Sequence, residues 1–393
     1  MERAAGLHWQ PAHPGITRCN SRGADIHRID FRAALKVGPP VRGTRFIMKV
    51  AVYYNNRDVR IEERPIPVPG EGEILVQTRA SGVCVGDTME WYLTPRAPLT
   101  LGHEASGVVV QTGPGMDLVR PGDRVVVHHH IPCLICEHCR RGNFTMCETF
   151  RRTHIHPGGF SEYFTASREH VERDTLILPD NVSFEVGTLV EPLACVVHAI
   201  RRANIRPDDS VALIGTGAMG LMFIQVLRAW GVRKLIVYEV LEWRQQKARE
   251  FGAEVVLTPS RDVEEEVRRV QSILGSPGAD RVIVAAKDLS AMNLGIRIAN
   301  KGGTVLFFAT PHPEDSIPLY PSYVFFNELT ITSSYSGDHN DTRTALDLLA
   351  CGAVNGEALI SHRYPLEQLS DAILQTASRQ GSLKCVITFE ENH

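Results

Sequence analysis

Hydrophobic positions change their rhythm twice along this chain. From Met48 to about residue 200 they come in short alternating runs broken by Gly and Pro. Met48-Lys-Val-Ala-Val-Tyr-Tyr, Glu73-Ile-Leu-Val-Gln-Thr, Gly107-Val-Val-Val-Gln and Asp123-Arg-Val-Val-Val each read as a strand, rich in branched residues. Pro69-Gly70, Gly113-Pro114-Gly115 and Pro121-Gly122-Asp123 supply the turns between them. The pattern predicts a compact antiparallel, β-barrel-like domain with a cysteine-rich lobe inserted after Val127.

From about 205 to 334 the period switches between two and 3.6. Strands are expected at Val211 to Ile214, Leu235 to Tyr238, Arg281 to Ala285, Thr304 to Phe308 and Leu329 to Thr332. Helices are expected between them, at Met219 to Trp230, Glu242 to Phe251, Val263 to Leu274 and Ala291 to Ala299. Such alternation gives a doubly wound parallel sheet with helices on both faces. The tail after Ser334 returns to mixed structure, and its last strand, Lys384 to Phe389, is expected to rejoin the first domain. Residues 1 to 47 fit neither rhythm: they hold seven Arg and one Lys against Glu2, Asp25 and Asp30, with scattered Pro and Gly. They read as a disordered or spurious extension ahead of Met48; an Arg-rich organelle-targeting segment is the other reading.

Composition narrows the classes. The 393 residues, 43% hydrophobic and 22% charged, suit a soluble two-domain protein. A net charge of -3 gives no reason to expect a nucleic-acid partner. The longest apolar stretch, Val211 to Leu227, carries a glycine turn, so no membrane span is expected. Nine cysteines, four of them in metal spacing and none behind a secretory signal, point to a reducing, cytoplasmic setting. Cys19, Cys351 and Cys385 show no pattern and read as ordinary thiols.

Three motifs carry chemistry. Cys133, Cys136, Cys139 and Cys147 are spaced Cys-x2-Cys-x2-Cys-x7-Cys, which suits a closed structural zinc site. Cys84, the pair His103-Glu104, and Glu191 in Val190-Glu-Pro-Leu193 are residue types that could build a second zinc site with one open position. Gly215-Thr-Gly217-Ala-Met-Gly220 follows an apolar strand and opens a helix, the dinucleotide-binding arrangement. Glu239 stands at the end of the next strand, where a carboxylate bonds ribose hydroxyls and repels a 2′-phosphate, favouring NAD over NADP. Arg244 reads either as a contact to the adenine ribose region or as a solvated helix residue.

On Cys84-Val-Gly-Asp87, Gly102-His-Glu-Ala-Ser-Gly107, Pro121-Gly-Asp-Arg-Val125, the cysteine lobe, Val190-Glu-Pro-Leu193 and the Gly215 turn, the chain from Met48 onward resembles the medium-chain zinc dehydrogenase/reductase superfamily, in its sorbitol, polyol and threonine dehydrogenase branch. The resemblance implies a GroES-like zinc catalytic domain from residues 48–200 and 335–393, a Rossmann NAD-binding domain at 201–334, two zinc ions per subunit and a homo-oligomer, dimer or tetramer. It implies Cys84 and His103 as ligands of the catalytic zinc, with Glu191 in the third ligand's place. Glu104 either ligates or sits just behind the metal, and Asp87 holds the other nitrogen of His103. The sequence departs from the family where Gly86 and Met89 replace the usual hydroxyl and imidazole of a proton relay; Thr88 is offset by two and should point elsewhere. Glu104 or Glu191 is then the expected proton acceptor.

His128-His-His130 is expected to alternate, His128 and His130 on one side and His129 on the other, so that three cannot ligate together. Together with His154 and His156 these read as packing residues or as substrate and proton contacts. Cys195 reads as wall rather than ligand. The function expected is NAD-dependent oxidation of a secondary alcohol on a small polyol or sugar derivative. The rivals are threonine-type amino-alcohol or butanediol oxidation and a non-catalytic zinc and nucleotide-binding protein. A zinc-free quinone reductase would lack both cysteine sites.

Overall fold

The computed structural model describes residues 47–378 and 380–390. The expected N-terminal extension therefore lies outside the described residues, except that Ile47 already belongs to the first strand, Ile47–Asn55.

Six strands form a fully parallel sheet in the spatial order Val255–Leu257, Lys234–Tyr238, Ser210–Ile214, Ala279–Val284, Ala299–Phe307, Thr330–Ser333. Alternate residues serve opposite faces, as a period of two requires. Val211, Leu213, Leu235 and Val237 pack with Leu221, Phe223 and Ile224 of the helix Ala218–Ala229. Ala212, Ile214, Ile236 and Tyr238 pack instead with Val270 of Val263–Leu274 and Met292 and Leu294 of Leu289–Arg297. Sequence order reverses between Ser210–Ile214 and Ala279–Val284, the switch point where open α/β sheets bind ligands. Two details differ from the pattern. The short edge strand Val255–Leu257 was not expected, and the helix foreseen to Ala299 stops at Arg297 because Ala299 opens the next strand.

A second, seven-stranded sheet runs Ile360–Pro365, Lys384–Thr388, Ile74–Val83, Glu104–Thr112, Arg124–Val127, Thr175–Ile177, with Tyr163–Ala166 also paired to Ile74–Val83. The last strand does return to the first half of the chain, as expected: Cys385 pairs with Val83 and Val386 with Gly82, antiparallel. Gly82 also pairs with Glu104 on its other side. The ends of three strands therefore bring Cys84, His103-Glu104 and Lys384 together. A small three-stranded sheet, Asp58–Pro65, Ile47–Asn55 and Leu99–Thr100, completes this half.

The helix Val190–Arg202 is the packing centre between the sheets. Val190, Leu193, Val196, Val197 and Ile200 are completely buried, and Pro192 is tolerated because its missing N–H would be unbonded in a first turn anyway. It carries Glu191 inward and lies against the helix His339–Ala350. Among the described residues no helix is long and apolar enough to cross a membrane.

Candidate active site and cofactor cradle

The lobe after Val127 takes its four thiols from one short segment. Its four thiols lie within 4.8 Å of one another. The Cys136–Cys139 and Cys133–Cys139 sulfur separations, 3.5 and 4.0 Å, bracket the edge of about 3.8 Å that four sulfurs around one zinc would have. Backbone N–H groups of Cys136 and Cys133 donate to Cys133 Sγ and Cys147 Sγ at 3.3 and 3.4 Å. Burial works upward on the Cys147 thiol, but the N–H groups of Cys133 and Phe150 outweigh it and bring its pKa down to about 6. The donor set fits zinc.

A second group joins Cys84, His103 and Glu104, again with ligand atoms within 4.8 Å of one another. Cys84 caps the turn Val85–Thr88, its sulfur accepting from Gly86 N–H at 3.3 Å while Asp87 Oδ2 accepts from Cys84 N–H at 2.9 Å. The other oxygen of Asp87 faces His103 Nδ1 at 3.7 Å, leaving Nε2 for the thiol side. At that distance Asp87 faces the ring as a buried charge rather than through a hydrogen bond. Thr88 spends its hydroxyl on Val85 O at 2.8 Å, inside its own turn, so it does not replace the missing relay.

Sequence reasoning missed Lys384. Its ammonium donates to Glu104 Oε1 at 2.6 Å and also contacts Oε2, both residues being almost completely buried. Burial opposes the charge on Lys384, but the attraction of Glu104 outweighs it and raises the Lys384 pKa. The pair needs the space over Gly82, where a Cβ would lie 2.0 Å from Glu104 Oε2. The available signal was a single charge in the apolar run Leu383 to Phe389.

Glu191 stands apart from the tight Cys84 group. Its carboxylate lies with His128 and His129, ligand atoms within 4.8 Å, and accepts from the Cys195 thiol at 3.5 Å. Burial raises the Cys195 pKa well above its usual value, and the charges of Glu191 and Cys84 add to that, which keeps it a thiol. Glu191 also acts on His103 through its charge, so it borders the Cys84 group.

The strand Arg124–Val127 ends before the histidines, so the expected alternation fails. His128 and His129, rather than His128 and His130, lie beside Glu191. His130 turns away and bonds Thr153 O through Nδ1 at 2.6 Å. Burial and the neighbouring charge of His128 lower its pKa to about 3. The His154 and His129 rings lie 5.3 Å apart, while His156 is exposed in a bridge to Thr165.

A further buried group, His198 with Asp338 and Asp341, serves the fold. Asp338 and Asp341 cap the helix His339–Ala350 reciprocally, and Asp341 also binds His198 at 2.7 Å and Arg201 at 2.6 Å. Of the unpatterned cysteines, Cys385 is buried in its strand, Cys351 is exposed, and Cys19 lies outside the described residues.

At the end of Ser210–Ile214 the glycine turn has the shape a pyrophosphate needs. Gly215 has φ +98°, and a Cβ on Gly220 would meet Gly215 O at 2.1 Å. Gly217 is the N-cap of Ala218–Ala229, and a Cβ there would enter a space bounded by Arg244 Nη1 at 3.9 Å. Arg244 therefore borders the turn. Glu239 is already well used: Oε2 accepts from Thr216 N and Oγ1 at 2.9 and 2.8 Å, and Oε1 from Val240 and Leu241 N–H at 2.8 and 3.0 Å. It braces the glycine turn.

Comparison with known proteins gives the family. Residues 70–180 match the model of the alcohol dehydrogenase GroES-like domain, and 218–351 that of the zinc-binding dehydrogenase. Sorbitol dehydrogenase of Ovis aries is 31% identical over 86% of this chain and 95% of its own length. A probable D-xylulose reductase A of Aspergillus clavatus is 30% identical over 82% and 92%. The crystal structure of a putative zinc-binding dehydrogenase from Sinorhizobium meliloti 1021 bound to NADP superposes with a TM-score of 0.78, at 28% identity, covering 88% of this chain and all of that one.

Proposed function

Because this chain belongs to the medium-chain zinc-dependent alcohol dehydrogenase family, we propose that it oxidises a secondary alcohol of a small polyol or sugar derivative, with NAD as hydride acceptor, and runs the reverse reduction. The observation that carries the reading is the Cys84–His103–Glu104 group beside a glycine-turn fold, in a chain similar over 86% and 82% of its length to a sorbitol dehydrogenase and a probable D-xylulose reductase.

Cys84, His103 and Glu104 hold the catalytic zinc, with Glu191 at the edge of that set, and Cys133, Cys136, Cys139 and Cys147 hold the structural one. When bound, zinc supplies a Lewis acid that acidifies the alcohol and NAD supplies the acceptor for the hydride. The chain's own groups fix the geometry. Asp87 aims the His103 ring, Lys384 holds Glu104 against the strand ends, and Gly82 leaves room for both. Glu104 is committed to Lys384, so Glu191 is the carboxylate better placed to receive a proton from substrate. Gly215, Gly217 and Gly220 admit the pyrophosphate, while Glu239 and Arg244 border the adenine ribose. On this reading residues 48–200 with 335–393 form the catalytic half and 201–334 the cofactor half.

The enzyme works in the cytoplasm as a homo-oligomer. In support of assembly, Leu319, Tyr320, Phe325 and Phe326 are half to more than three-quarters exposed, next to the sheet-edge strand Thr330–Ser333. A panel of polyols, sugars and amino alcohols, followed by NADH formation, tests the reading. Turnover of polyols above amino alcohols is expected; turnover of threonine or butanediol alone, or of nothing, refutes it.

A further inference from the structure

Glu191, His128 and His129 form a second constellation beside the Cys84 group, and its chemistry is of a different kind. The three are 7, 3 and 6% exposed, and one ligand atom of each lies within 4.8 Å of the others. Two imidazole nitrogens, His128 Nε2 and His129 Nδ1, are buried and have no hydrogen-bond partner among the described residues. Buried polar atoms left unpaired cost roughly 1–3 kcal/mol each, so two in one place call for a ligand.

The far side of His128 is fixed in the manner of a metal-binding histidine. Its Nδ1 sits 2.7 Å from Asp174 Oδ2, and Asp174 Oδ1 accepts from the hydroxyl of Thr342 at 2.6 Å. With the proton on Nδ1, the lone pair of Nε2 is free and the ring cannot rotate. A carboxylate behind a histidine is the usual outer support of a metal ligand.

The histidines also choose between a cation and an anion. An imidazole nitrogen without a proton offers a lone pair, which suits a cation. Glu191 supplies a negative oxygen on the same side, which would repel an anion outright.

We propose that His128 Nε2, His129 Nδ1 and Glu191 hold an additional divalent transition-metal ion beside the Cys84–His103–Glu104 site, with Asp174 as the support of His128. Imidazole and carboxylate donors without sulfur suit zinc, cobalt or iron(II). Three protein ligands leave an open position, which fits a second oxygen of a hydroxyl-rich molecule.

Cobalt(II) tests this without reference to turnover. The purified full-length protein, exchanged into cobalt(II), is followed by equilibrium dialysis and by absorption. Three equivalents per chain are expected. The lobe and the Cys84 group should each show sulfur-to-metal charge transfer, and the third equivalent should add visible ligand-field bands without it. His129→Phe fills the space of an imidazole whose Nδ1 is unbonded, and should lose that third equivalent alone. Cys84→Ser should lose a sulfur-linked equivalent and keep the third, which separates this site from the catalytic one. Saturation of the wild type at two equivalents, a third that carries a sulfur band, or a third retained in His129→Phe would each overturn the proposal; the first needs no variant to fold.

Discussion

The cysteine lobe and the Cys84 site gather ligands of similar type by opposite means. The lobe takes all four sulfurs from residues 133 to 147 and positions them with its own backbone N–H groups. A structural zinc bound there would add folding free energy directly. The Cys84 site takes its residues from the ends of three paired strands, and Lys384 lies 280 positions away from the glutamate it holds. There the fold holds the ligands in place before any ion arrives. On the proposed assignment one site would be stabilised by its metal, while the other is kept in shape by a salt bridge and a sheet.

If that contrast is right, the largest effect belongs to the lobe. Cys147→Ser should lose one zinc equivalent and cost on the order of several kcal/mol, since structural zinc binding is folding free energy. Metal analysis with thermal melting checks it, and a full zinc complement with an unchanged melt would erase the distinction. Lys384→Met comes next. With the Cys84 site emptied of metal it leaves Glu104 buried without a counter-charge, and breaking such a pair costs about 3–5 kcal/mol. Urea unfolding should show this with zinc retained in the lobe. Glu104→Gln combined with Lys384→Met should recover at least half of the loss; no recovery would mean that Lys384 acts through packing.

A smaller effect is expected at Glu239. Replacing it with Ser should lower the ratio of kcat/KM for NAD over NADP by about tenfold, roughly 1.4 kcal/mol. The carboxylate also braces Thr216, so KM for both cofactors should rise. An unchanged ratio would leave Glu239 as a brace only and shift attention to Arg244. The smallest effect sharpens the picture of the histidine cluster. His130 titrates near 3 in the folded state against about 6.5 when unfolded. As pH falls through 6.5 the unfolded chain takes the proton first, so His130 draws stability down between pH 6.5 and about 3. His130→Gln should make the melting temperature less sensitive to acid across that window; an identical slope would show that His130 is not held neutral.

Legibility in the sequence followed the same divide. The lobe could be read in full because its ligands share one short segment. The glycine turn could be read because strand, turn and helix are consecutive, and a period of two followed by one of 3.6 is visible without any partner. The parallel sheet was legible for the same reason, apart from Val255–Leu257, which is too short to show a period. The histidine run was misread because alternation was extended past Val127, where the strand stops.

By itself the sequence determined the chemical inventory: four thiolates in a loop, a Cys, His and Glu set, a dinucleotide turn and the absence of the usual relay at Gly86 and Met89. Only the tertiary structure decided how that inventory is wired. It gave Glu104 to Lys384, drew Glu191 toward His128 and His129, and bound Glu239 to the turn it faces. These pairings depend on strand register and on which buried charge lies within reach of which other. Neither leaves a local pattern, because electrostatic and hydrogen-bond partners are chosen by distance in space and by the cost of being left unpaired.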